Sequence, residues 1–88
     1  MIRRRVCISG RVQGVGFRYS CRRVAESAGV SGWCHNLPDG RVEAAFEGEA
    51  DAVERVVAWC RKGPSHAVVT EVDVIDEPPR GEEGFRLS

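Results

Sequence analysis

The chain has 88 residues, 42% of them apolar, which is enough for one small domain and too few for two. Its 13 basic and 13 acidic residues cancel, which argues against bulk attraction to nucleic acid or to a membrane surface. No apolar run reaches the ~18 residues that span a bilayer, and no apolar signal region follows Met1-Ile2-Arg3-Arg4-Arg5, so a soluble cytoplasmic protein is expected.

The first 25 residues hold seven arginines and no acid, whereas the remainder holds six bases and all 13 acids. Such asymmetry predicts that the early arginines pair with later acids or that some form a local anion site, with pairing expected to account for most of them. Arg3 to Ser9 is a first predicted strand, with Val6, Cys7 and Ile8 and no breaker before Gly10. Arg3-Arg4-Arg5 is expected as its solvated end. Phe17, Cys21, Val24, Ala25 and Ala28 then fall on one helical stripe, which Gly29 stops.

Val30 to Asn36 and Arg41 to Glu47 follow as strands, joined by the turn residues Leu37-Pro38-Asp39-Gly40. In the second of them Val42, Ala44 and Phe46 share one face, and Arg41, Glu43 and Glu47 the other. Val53, Val56, Val57 and Cys60 mark a second helix, with acids at its start, Arg61 and Lys62 at its end, and Gly63-Pro64 beyond. Ala67 to Ile75 is a fourth strand in which Val68, Val72 and Val74 face away from Glu71 and Asp73, and Phe85-Arg86-Leu87 can close the chain with a short strand. The order β-α-β-β-α-β predicts a ferredoxin-like α+β sandwich, with two helices on one face of a four-stranded antiparallel sheet. That fold hosts enzymes, RNA-binding modules and regulatory domains, so function has to be read from a site.

Between the first strand and first helix lies Gly10-Arg11-Val12-Gln13-Gly14-Val15-Gly16-Phe17-Arg18. Closely spaced glycines let successive N–H groups converge, and a helix N-terminus adds positive potential, so this loop can cradle a phosphate-sized anion. Arg18 brings a planar fork that matches phosphoryl oxygens and keeps its charge near neutral pH. A tight turn that needs small residues would give the same glycines, and the dinucleotide and P-loop fingerprints are incomplete here. Cys7, Cys21, Cys34 and Cys60 form neither a C-x-x-C pair nor the Cys-x5-Arg spacing of a thiolate phosphatase, and with His35 and His66 they show no regular metal-ligand spacing. They are expected as buried apolar residues.

The loop just described, together with Gly32-Trp33-Cys34-His35-Asn36-Leu37-Pro38-Asp39-Gly40-Arg41-Val42-Glu43, resembles the acylphosphatase family. The resemblance implies a single domain of this kind over residues 1–88 and hydrolysis of small acyl phosphates to a carboxylate and inorganic phosphate, the latter both product and inhibitor. It makes Arg18 the phosphate-binding catalytic arginine and Asn36 the residue that positions the attacking water, with Gln13, Gly14, Val15, Gly16, Phe17 and Arg18 around the phosphoryl group. The leaving carboxylate needs no strong general acid, and the sequence shows no activated nucleophile and no carboxylate cluster suited to magnesium, so a reaction without metal or other cofactor is expected. A monomer without a nucleic-acid partner is expected as well.

The alternative is a noncatalytic ferredoxin-like module that binds RNA or a protein partner. The aromatic motif that RNA-binding sheets carry on the third strand is absent from Arg41-Val42-Glu43-Ala44-Ala45-Phe46-Glu47, where acids would repel phosphates. Acylphosphatase-like domains also occur within larger maturation proteins, against which the start at Met1 and the single-domain length weigh. Trp33, Trp59 and Tyr19 are expected to pack, and His35, alternating with Asn36, to lie on the opposite strand face as a bystander.

Overall fold

In the computed structural model, which describes residues 1–88, the chain runs β1 (Ile2–Arg11), α1 (Phe17–Ser27), β2 (Ser31–Asn36), β3 (Val42–Gly48), α2 (Ala50–Lys62), β4 (Val68–Glu77) and β5 (Phe85–Leu87). The strands lie in the order β4-β1-β3-β2-β5. The four long strands pair antiparallel, but β5 joins the edge of β2 in parallel, so the expected four-stranded antiparallel sheet is a five-stranded mixed one. The reason lies in the segment Pro78–Gly84, which reverses the chain after β4 and carries it across the sheet, so that β5 arrives running in the direction of β2. Phe85 seats this last strand by stacking on Phe46, with ring centroids 5.9 Å apart.

The inward faces of β1, β2 and β3 and the two helical stripes meet as predicted. Val6, Ile8, Cys34, Val42, Ala44 and Phe46 from the sheet pack against Phe17, Cys21 and Ala25 of α1 and against Val53, Val56, Val57 and Cys60 of α2. In α2, Asp51 sits in the first turn, Arg61 and Lys62 in the last, and Gly63 ends the helix with φ 71°. Trp59 packs on Phe17 at a centroid distance of 5.1 Å. Three of the four cysteines are buried, and all four are free thiols. Cys21 lies within hydrogen-bonding reach of both Cys34 and Cys60; that bond to Cys21, reinforced by burial, pushes the Cys34 thiol far above its ordinary range.

Strict alternation fails in β4. The pairing with β1 shifts between Ser9 and Gly10, so that Ser9 faces Glu71 whereas Gly10 faces Val69. Gly10 adopts φ +123°, and a Cβ there would come within 2.1 Å of the Val68 carbonyl oxygen, so only glycine fits this bulge. The slip turns Val69 onto the core and leaves Val68 56% exposed, in place of the expected Val68, Val72 and Val74 face.

The charged residues bring the largest departure. Arg3, expected at a solvated strand end, is 2% exposed, and Glu47, expected on an open face with Glu43, is 2% exposed as well. The Arg3 guanidinium donates to Glu77 at 3.0 Å, Glu82 at 2.9 Å and Glu47 at 3.3 Å. Glu47 also accepts backbone N–H groups of Arg80 (2.8 Å), Gly81 (2.8 Å) and Glu82 (3.0 Å), because the returning segment lies directly over its carboxylate. Arg4 pairs with Glu54 and Asp76, and Arg5 with Glu77. Arg11, Arg18, Arg22 and Arg23 form no ion pair, so pairing accounts for three of the seven early arginines and not for most.

Removing one member of such a buried cluster strands the others, so Arg3→Ala should cost about 3–5 kcal/mol. The N–H of Arg80 holds the Glu47 carboxyl below the ordinary range against the opposing effect of burial, with Glu82, Gly81 and Arg3 adding to it. Arg3 does the same for Glu77 and Glu82. The stability these carboxylates contribute is complete above the unfolded-chain value of about 4.3, and is lost as pH falls through their lowered folded values. Urea midpoints taken from about pH 6 to about pH 3 should therefore decline toward acid, and more gently in Glu47→Gln. Parallel declines in both proteins would place the acid sensitivity elsewhere.

Candidate active site

The loop after β1 turns through two left-handed residues, Gly14 at φ 75° and Gly16 at φ 78°. A Cβ at either position would meet no atom within 4 Å, so backbone conformation and not space demands glycine there. Gly16 caps α1 without any side-chain hydrogen bond, and no acid occupies the first turn, in contrast to Asp51 in α2. The first N–H groups of α1 are thus left for a ligand, with the positive end of the helix dipole behind them.

Gly14, Gly16, Phe17 and Arg18 line a cleft of 160 Å³ together with Val12, Tyr19 and Asn36. Arg18, in the first turn of α1, and Asn36, the last residue of β2, thereby share one concavity although they lie on different elements. A larger depression of 520 Å³ lies on the opposite face of the sheet, where Arg5 and Arg41 alternate with Glu43 and Asp73. That surface mixes both signs of charge, whereas the small cleft has Arg18, the uncapped start of α1 and no acid among its lining residues.

Two sets of hydrogen bonds hold the cleft in shape. Arg18 donates one Nη1–H to the main-chain oxygen of Ser88 at 3.0 Å, and the Ser88 N–H donates to the Cys34 carbonyl at 3.2 Å, so the segment after β5 ties Arg18 to β2. One donation leaves the rest of the five-donor guanidinium free to face the cleft. The Gln13 side chain points away from the cleft, donating from Nε2 to the carbonyls of Leu37 (2.8 Å) and Arg41 (3.0 Å) and so fastening the loop to the β2–β3 turn next to Asn36. Val15 does not line the cleft either, so of the six loop residues expected around the phosphoryl group Gly14, Gly16, Phe17 and Arg18 line it.

Other residues fall where their faces put them. His35 lies on the open face, 2.9 Å from Glu43 and stacked on Trp33. Tyr19, expected to pack, is instead 62% exposed at the cleft rim, because its place in α1 turns it away from the Phe17–Cys21–Ala25 stripe. Its position next to Arg18 was the available signal for that role; nothing local in the sequence signals Ser88. Gln13→Ala should release the turn, speeding amide exchange at Leu37 and Gly40 and costing about 1–3 kcal/mol for two lost hydrogen bonds. Unchanged exchange would show that the turn holds itself.

The comparisons agree along the whole chain. A family model described as Acylphosphatase matches residues 4–87. An acylphosphatase of Roseiflexus sp. (strain RS-1) is 61% identical over 88 residues, covering 99% of this chain and 95% of the relative. One from Rubrobacter xylanophilus is 63% identical over 84 residues, covering 94% of this chain and 76% of the relative. The crystal structure of acylphosphatase from Bacillus subtilis superposes with a TM-score of 0.97 at 35% identity, covering 100% of this chain and 99% of that one. With sequence, fold and cleft in agreement, the chain belongs to the acylphosphatase family.

Proposed function

We propose that the chain hydrolyses the carboxyl–phosphate bond of small acyl phosphates at the cleft between the β1–α1 loop and the end of β2, with Arg18 as the phosphate-binding residue and Asn36 as the residue that holds the water. Family membership supports the reaction. The single observation that carries the assignment is the meeting of Arg18, Asn36 and the uncapped start of α1 around one 160 Å³ cleft.

The phosphoryl group lies against N–H groups of the Gln13–Arg18 segment, and the Arg18 fork neutralises its oxygens. The Asn36 amide oxygen accepts a hydrogen bond from water and orients that water toward phosphorus. A new oxygen–phosphorus bond forms as the bond to the acyl oxygen breaks. The carboxylate leaves with that electron pair, inorganic phosphate is the other product, and the water proton passes to solvent. Carboxylate is a good leaving group, so positioning and charge stabilisation suffice. Inorganic phosphate, fitting the same cradle, is a competitive inhibitor on this reading.

The wider setting belongs to the same proposal. Four free thiols suit the cytoplasm. Glu71, Asp73 and Asp76 on the edge strand β4 discourage strand addition, which suits a monomer, and acids on the open sheet face, Glu43 and Asp73, disfavour nucleic acid.

Arg18→Ala should fold yet lose nearly all turnover of acetyl phosphate and its affinity for phosphate, and Arg18→Lys should fare little better, because a point charge lacks the fork. Asn36→Ala should lose turnover while phosphate still binds, since orienting water matters chiefly in the transition state. Phosphate inhibition constants for the folded variants check both roles. Equal loss of phosphate affinity in Asn36→Ala and Arg18→Ala would make Asn36 an anion ligand instead.

A further inference from the structure

We infer that Tyr19 and Arg22 form the acyl end of this site and favour acyl phosphates whose acyl group carries a second negative charge. The inference rests on the phosphoryl-binding reading of Arg18 and extends it outward. A cleft of 160 Å³ accommodates a phosphoryl group and little more, so the acyl group has to emerge over the rim. At that rim stands Tyr19, 62% exposed, with the Arg22 guanidinium carbon 5.7 Å from its ring centroid.

Arg22 differs from an ordinary solvated cation in two respects. It forms no ion pair, not even with Glu26 one turn further along α1, and its guanidinium is steadied over an aromatic face beside the cleft. Arg18 and Arg22 also stand four residues apart in α1, which places their side chains on one side of the helix with Cβ atoms about 6 Å apart. A substrate held at one end by Arg18 therefore reaches Arg22 with a short dicarboxylic acyl chain. No carboxylate lines the cleft to compete for either cation. An uncharged acyl group would gain only ring contact with Tyr19, whereas a terminal carboxylate gains a charge-assisted bond to a guanidinium already held in place.

The test compares two substrates of equal chain length, succinyl monophosphate and butyryl phosphate, which differ in the terminal carboxylate. The unmodified protein should prefer the succinyl compound by about three- to tenfold in kcat/KM at low salt, and the preference should shrink as ionic strength rises. Arg22→Gln should bring the ratio close to one. Arg22→Lys should keep part of it, Tyr19→Phe most of it, and Tyr19→Leu little, since the ring steadies the cation. Tyr19 is exposed and Arg22 is half-buried without an ion pair, so these variants should fold, which far-UV circular dichroism checks. No preference in the unmodified protein, or an unaltered ratio in Arg22→Gln, overturns the inference and leaves the Arg18 reading standing. Failure to hydrolyse either compound, or undiminished hydrolysis of both by Arg18→Ala, overturns the underlying reading and this inference with it.

Discussion

The buried Glu47 carboxylate decides the path of the last ten residues of the chain. Three successive backbone N–H groups, from Arg80, Gly81 and Glu82, converge on it, and Arg3 supplies the countercharge. A carboxylate this deep would be untenable alone, because desolvation outweighs any single contact; four donors together make it stable. By clamping the segment after β4 onto the centre of the sheet, they direct it to the far edge. There it continues as β5 beside β2 and ends with the Ser88 oxygen on Arg18. The latch and the candidate active site thus lie at opposite ends of one continuous piece of backbone.

Much of this architecture is legible in the sequence. Two helical stripes with their glycine stops, four strands and the β2–β3 turn follow from periodicity and turn chemistry, because local patterning and tertiary burial agree there. The site loop is legible too, since glycine spacing and an arginine at a helix start are local signals. What stays hidden depends on partners distant in sequence. Arg3 reads as polar until Glu47, Glu77 and Glu82 surround it, and Val68 reads as core until the Gly10 bulge shifts β4 by one residue. Phe85-Arg86-Leu87 is legible as a short closing strand, but neither its partner nor its parallel direction is a local property. Arg18 and Asn36 lie in separate motifs that the family resemblance links, and the fold brings them to one cleft.

The same fold separates two kinds of charge on a chain that is neutral overall. The arginines at the start of β1 are consumed by glutamates and aspartates, whereas those at its far end and along α1 are left unpaired. Arg3 and Arg11 lie near opposite ends of β1, roughly 25 Å apart at the rise of an extended strand. That is more than two screening lengths at about 0.1 M salt, so the acids of the latch hardly weaken the positive potential at the cleft. Neutral net charge avoids indiscriminate attraction of polyanions, and local imbalance still favours a small phosphorylated substrate. If Glu77 and Glu82 stood near Arg18 instead, the net charge would be unchanged and the guanidinium would already have its partner. The position of the acids, more than their number, is therefore what leaves Arg18 without an acidic side-chain partner.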